Sequence, residues 1–210
     1  MTATSTVYDA VTVSHLPADG DGYLAYKNGH YANVGPVEAR FPHKPVKTVD
    51  VLGDPTADII DIEPGCVWPP SKGATVASAA VKAGRRPTCY MSASNWMTVR
   101  AAVANVGIAG KVDYFPADYD GKPVIPAGAV GKQYLGSPGN SPGPYDKSVV
   151  LTSWLTGKKA ARKAAGFALP VRAALHVVIG REKRVSPLTP SARALTERAL
   201  AVLQGWLKLK

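Results

Sequence analysis

The stretch Ala57-Asp58-Ile59-Ile60-Asp61-Ile62-Glu63-Pro64-Gly65 reads as a short buried strand that closes on two carboxylates and breaks at a Pro-Gly turn. Successive side chains of a strand point to opposite faces, so Asp61 and Glu63 share one face, their Cα atoms roughly 6.5 Å apart. Ile59, Ile60 and Ile62 supply the apolar packing, and Asp58 has no part in the carboxylate pair. Two acids side by side at the end of a hydrophobic strand repel each other, which raises one pKa and leaves the other ionised. Glycoside hydrolysis and other acid/base chemistry require that split. The same residues would also suit a solvated strand end without chemistry, because Asp-x-Glu is short and common.

Outward from this strand, strand-like and helix-like segments alternate. Strands are expected at residues 7–13, 23–27, 47–52, 57–63, 87–92, 112–117, 129–135 and 148–154. Helices are expected at residues 35–41 with Pro36 in the first turn, at 74–83 before Gly84, and at 96–105 with Ser94 as N-cap. Alternation of this kind argues for a parallel sheet. Eight strands in about 150 residues predict an α/β fold closed as a distorted (β/α) TIM-like barrel, some of whose helices have shrunk to loops. Reactive groups of such barrels lie at the carboxyl ends of the strands, where Asp61 and Glu63 fall. A doubly wound open sheet is the other architecture, but the chain has no GxGxxG or GxxxxGK[ST] phosphate-binding turn.

Composition divides the chain in two. Residues 1–155 carry 13 Lys and Arg against 13 Asp and Glu, whereas residues 156–210 carry 12 basic residues against only Glu182 and Glu197. The whole net charge of +10 therefore lies in the last quarter, which sets a boundary near Thr156-Gly157 between a neutral domain, 1–155, and a basic helical tail, 156–210. Within the tail, residues 158–168 and 172–179 read as helical. Thr189-Pro190 opens an amphipathic helix running to about Leu209. The tail lacks interleaved aromatics and any recognition motif, so nucleic acid is not its expected partner. No apolar run approaches the ~20 residues of a membrane span, and the first residues have neither the basic nor the apolar region of a secretory signal. Cys66 and Cys89 are too few for a disulfide scaffold, the four histidines are scattered, and no metal site or cofactor is expected. Cys89 reads as a small buried hydrophobe.

Further acids fall at expected strand ends: Asp9, Asp118 and Asp146, accompanied by Tyr26, Tyr90, Trp96, Gln133 and Tyr134. Carboxylates and amides that take hydroxyls, beside aromatics that stack on pyranose faces, fit sugar recognition. The order Tyr23-Leu-Ala-Tyr26, Arg40-Phe41-Pro42, residues 57–65, Pro87-Thr-Cys-Tyr90, Tyr114, Ala127-Gly-Ala-Val-Gly-Lys-Gln-Tyr134 and Tyr145-Asp146 resembles the glycoside-hydrolase-like domains of actinobacterial proteins and their phages. These domains are distant relatives of the glycoside hydrolase family 25 lysozymes. The resemblance covers roughly residues 7–154.

The resemblance implies a barrel that cleaves the N-acetylmuramyl bond of peptidoglycan, as an endolysin or a virion-associated lysin does. It assigns Glu63 as general acid and gives Asp61 the task of orienting the substrate acetamido group or stabilising positive charge at the anomeric carbon. Asp9, Asp146, Tyr26, Tyr90, Gln133 and Asp118 would bind substrate. The chain departs from the family pattern in two places: Phe-Pro-Ala-Asp-Tyr occupies residues 115–119, and the usual Ser and Gln are missing after Asp9. The alternative is therefore a noncatalytic wall-binding or phage structural protein that keeps the barrel as a scaffold. On either reading the protein would be made in the cytoplasm and act at the wall after release, or as part of a particle. The basic tail would then meet anionic wall polymer, a membrane surface or a particle protein.

Overall fold

A computed structural model describes residues 2–136, 139–141 and 143–157. The sheet is a closed barrel of eight strands arranged in sequence order: β1 Thr4–Asp9, β2 Gly22–Tyr26, β3 Val46–Asp50, β4 Ile59–Asp61, β5 Thr88–Ser92, β6 Asp113–Ala117, β7 Gly131–Leu135 and β8 Asp146–Leu151. The first seven run parallel. The eighth corrects the parallel expectation, since it runs antiparallel to both β7 and β1. Strand direction follows from the connection, not from local residue pattern, so period-two alternation could not report it.

Among the described residues, α-helices occupy three connections: α1 Val34–Arg40, α2 Pro70–Lys82 and α3 Trp96–Asn105. The first strand ends at Asp9, four residues before its expected end at residue 13, where the 3₁₀ turn Val13–His15 begins. The helix α2 begins four residues before the expected start and ends as Gly84 predicts: with φ 78°, Gly84 donates to Val81 O and Arg85 to Ala80 O. Ser94 does not cap α3; it lies in a 3₁₀ turn, with its hydroxyl 3.2 Å from that of Ser92.

Alternation along each strand sorts the core into an interior and an outer layer. Ile60 and Ile62 point outward and pack with Cys89, Met91 and Tyr114 against Ala74, Ala77, Val99 and Val103 of α2 and α3. Gly73 makes this approach close, because a Cβ there would meet Ile62 at 2.6 Å. On the other side of the barrel Tyr23 stacks on Phe41 at 3.8 Å beneath α1. Inside, Val7, Leu24, Val49, Ile59, Phe115 and Val150 fill the barrel.

After β8 the chain enters α4, Thr152–Thr156, in place of the expected strand continuing to residue 154. Leu155 and Trp154 join the interior cluster from the amino end of the parallel strands. The Trp154 indole N–H donates to Thr88 Oγ1 at 2.9 Å, and its ring meets Phe115 edge-on at 5.7 Å. None of the described helices is long and apolar enough to cross a membrane. The basic segment 158–168, the apolar run 172–179 and the amphipathic helix to Leu209 lie outside the described residues.

Candidate active site

Above the apolar interior the inward positions change character. Val7 is followed two residues later by Asp9, Leu24 by Tyr26, and Ile59 by Asp61, so each strand delivers a polar group to the carboxyl-end rim. The reversed β8 reaches the same rim with its first residue, Asp146, directly opposite Asp9 in the ladder. Asp61 stands opposite Tyr90, and Ala117 opposite Gln133. The result is a cavity of about 140 Å³, floored by Leu24, Val49 and Ile59 and ringed by Asp9, Tyr26, Asp61, Glu63, Tyr90, Tyr119, Gln133 and Asp146.

The ring is wired by hydrogen bonds. Gln133 Nε2 donates to Asp146 Oδ2 at 2.9 Å and to the Tyr119 hydroxyl oxygen at 3.2 Å, while the Tyr90 hydroxyl donates to Gln133 Oε1 at 3.0 Å. A register shift between Gln133 and Leu135 on β7 accompanies this aim. The Tyr26 hydroxyl donates to Asp9 Oδ2 at 3.3 Å. Two carboxylate oxygens remain buried with no hydrogen-bond partner among the described residues, Asp9 Oδ1 and Asp61 Oδ1. Buried polar atoms left so are uncommon and costly.

Burial, before repulsion, sets the electrostatics. Asp61 is 8% exposed, and desolvation pushes its carboxyl up to about 7, with the charge of Glu63 adding to the rise and a hydrogen bond from the Cys66 thiol opposing it. Glu63 is raised as well, chiefly by burial, and the Ser92 backbone N–H restrains it. The sequence reading made repulsion the main cause and left one acid ionised; desolvation is the larger cause and lifts both. Asp9 is raised too, by burial and then by Asp146 across the ladder. The Tyr119 hydroxyl is pushed up to about 12 by burial, and those of Tyr26, mainly through the charge of Asp9, and Tyr90, mainly through burial, are also raised. All three remain protonated donors near neutrality.

Seven of the eight expected site residues thus meet in one cavity. The eighth, Asp118, does not line it: its side chain is half-exposed and lies 3.4 Å from Lys132 Nζ, which also pairs with Asp120 at 2.7 Å. Asp118 follows the inward Ala117, so alternation turns it outward and brings Tyr119 in. Tyr119 was missed for want of continuing the period by one step. Trp96 belongs to the outer core, and Tyr134 lies beside Lys147, outside the cavity lining.

Cys66 was also missed. Gly65, at φ 92°, turns the chain so that Cys66 N donates to Glu63 O at 2.9 Å and Val67 N to Asp61 O at 3.0 Å. The Cys66 thiol thereby reaches Asp61; burial and the nearby acids push it up to about 12, which keeps it protonated. Cys66 and Cys89 are both free thiols. Among the described residues, no group of three or more His, Cys, Asp or Glu is arranged to hold a metal ion. No known protein family matches this chain, and neither does a curated protein or a solved structure.

Proposed function

We propose that the cleft binds peptidoglycan glycan strands and hydrolyses them, as a muramidase of the lysin type. One observation carries the reading: a single rim cavity combines the carboxyls of Asp9, Asp61, Glu63 and Asp146 with the aromatic rings of Tyr26, Tyr90 and Tyr119. Carboxyls whose pKa burial raises, as it does for Asp61 and Glu63, beside rings able to stack on a sugar are what acid-assisted cleavage of a glycosidic bond needs.

In this reading Glu63 gives its proton to the leaving glycosidic oxygen as the bond to the anomeric carbon breaks. A water adds to that carbon and returns a proton to Glu63. Below about pH 7 Asp61 is neutral, so it acts through hydrogen bonding and not through charge. Its unpartnered Oδ1 takes the acetamido N–H and fixes the sugar beside Glu63. Of the two roles the resemblance offers Asp61, orientation is the one its environment favours. Tyr90, Gln133 and Tyr119 hold Asp146 and the far wall in place.

The basic tail, in the same reading, holds the protein to anionic wall polymer. The test is release of reducing ends from purified peptidoglycan by the wild-type protein and by Glu63→Gln. Release by the first and not the second is expected. Binding to walls without release by either would leave the barrel a wall-binding scaffold.

A further inference from the structure

Cys66 reaches Asp61 without itself lining the cavity, and the backbone sets its place. Glu63-Pro64-Gly65-Cys66 has the residues of a type II turn, proline at the second position and glycine at the third. Gly65 takes φ 92°, and Cys66 N donates to Glu63 O at 2.9 Å to close the turn. Val67 N then donates to Asp61 O at 3.0 Å and Trp68 N to Cys66 O at 2.9 Å. The Val67 side chain is fully buried in the outer core that holds Ile60 and Ile62. The returning chain is thereby clamped to the end of β4, with the Cys66 thiol on the Asp61 carboxyl.

The ionisable groups around Asp61, besides this thiol, are Glu63, Asp50 at the end of β3, Asp9 on β1, Tyr26 on β2 and Tyr90 on β5. The acids repel it, and the two hydroxyls give their protons elsewhere: Tyr26 to Asp9 at 3.3 Å and Tyr90 to Gln133 at 3.0 Å. The thiol is thus the donor that orients Asp61. Asp61 itself lines the cavity and is 8% exposed, and its Oδ1 has no hydrogen-bond partner among the described residues. A buried carboxyl oxygen in that state is completed by a donor brought in from outside.

The choice of sulfur matters. A hydrogen bond to the ionised form of a carboxyl favours that form, and a thiol is a weak donor. A hydroxyl in its place would draw Asp61 further toward ionisation, whereas the thiol fixes its direction and leaves it protonated. Burial, and then the neighbouring acids, push the thiol up to about 12, so its proton stays on sulfur while Asp61 titrates.

We propose that Cys66 is a positioning residue: its S–H holds the Asp61 carboxyl so that Oδ1 is presented to the acetamido N–H of a bound sugar. What Asp61 binds rests on the glycan reading above; the hold of Cys66 on Asp61 does not.

Cys66 is half-buried, so Cys66→Ala and Cys66→Ser open no core cavity. NMR of the full chain with carbon-labelled aspartate carboxyls reads the Asp61 midpoint directly. Cys66→Ala should move it upward by about one pH unit, as loss of a hydrogen bond to the charged form does. Cys66→Ser keeps a donor and should leave the midpoint at or below the wild-type value. In the same samples, preference for N-acetylglucosamine over glucose should fall about fivefold in Cys66→Ala, the worth of one hydrogen bond, and be retained in Cys66→Ser. A further measurement needs no change at Cys66. At pH 8.5 a dipyridyl disulfide should label Cys66, read on its own peptide by mass, faster in Asp61→Asn than in the wild-type chain. Removing the acid lowers the thiol, and the thiolate is the form that reacts.

The proposal is overturned if Cys66→Ala leaves the midpoint unmoved, if Cys66→Ser rises with it, or if Asp61→Asn does not speed the labelling. It is overturned equally if the sugar preference is the same in Cys66→Ala as in the wild type, or if neither sugar binds. Reducing-end release from walls, measured alongside, tests the hydrolase reading separately: its absence, with the midpoints and sugar preference as expected, leaves Cys66 in its role and removes the hydrolase.

Discussion

Asp9 and Asp146 face each other as directly opposed residues of the first and last strands, so the seam that closes the barrel runs through the carboxylate cavity. Like charges directly opposite in a ladder are destabilising, and burial together with the repulsion of Asp146 raises Asp9, which favours its uncharged form.

Barrel stability is accordingly expected to fall as pH rises. Asp61 keeps its proton in the folded state up to about 7 but releases it near 3.9 when unfolded. The folded state thus binds more protons between these values, and the stability present below about 4 is lost as pH rises through about 7. The raised Asp9 acts in the same direction. Asp54, lowered to about 2 by its bonds with Lys27 and Thr56, acts in the opposite direction, but that ion pair is partly exposed and contributes little. Melting temperatures at pH 5 and pH 8 should differ, pH 5 being higher, and Asp61→Asn should shrink the difference. A flat profile would contradict the assigned burial.

Glu63→Gln keeps the shape of the side chain but has no carboxyl proton to give. Loss of a positioned general acid typically costs about 10²–10⁴-fold in rate, and the melting temperature should hold or rise. In the wild-type protein, hydrolysis should decline as pH rises through the elevated pKa of Glu63. Near-full activity in Glu63→Gln, assayed on purified walls, would remove Glu63 from the acid's role.

Gly73→Ala tests the packing that presents the two acids. Alanine in a helix ordinarily gains about 1 kcal/mol over glycine, but here its Cβ would stand 2.6 Å from the fully buried Ile62. Overpacking of this kind costs about 1–3 kcal/mol, and Ile62 separates Asp61 from Glu63 in the chain. The variant should unfold at lower denaturant and lose activity; unchanged stability would mean that α2 can shift outward freely.

Gln133→Leu removes the donor to Asp146 and the acceptor for Tyr90 together. Unsatisfied buried groups cost about 1–3 kcal/mol each, so chemical denaturation should show a loss of that size along with weaker glycan binding. Stability equal to wild type would show that water replaces the amide.

A chain ending at Gly157 retains α4 and its interior contacts. It should melt as a folded barrel yet lose salt-sensitive retention on purified walls, since each basic residue near an anionic surface contributes on the order of 1 kcal/mol. Elution across a sodium chloride gradient measures this, and equal retention of both chains would refute the anchor.

Much of this site can be read from residues 57–65 and from period-two alternation. The inward position of Asp61 and Glu63, the outward position of Ile60 and Ile62, and the rim positions of Asp9, Tyr26 and Tyr90 all follow from counting by two. Asp118 and Tyr119 obey the same count, yet the reading favoured the acid for its charge over the tyrosine for its face. The reversal of β8 leaves no local trace, because Asp146 would look the same at the start of a strand of either direction. The reach of Cys66 to Asp61 depends on the turn at Gly65: Pro-Gly announces the turn, but not the acid to which the thiol returns.

The placement of Trp154 and Leu155 bears on traffic through the molecule. With its far end stoppered by these two side chains, the barrel is a blind cup and not a tunnel. Under the glycan reading, a polymer would lie across the lip instead of threading through, and a product formed at the bottom would leave by the route its precursor took. Short fragments that fit the cup would then compete with incoming strands for the same opening.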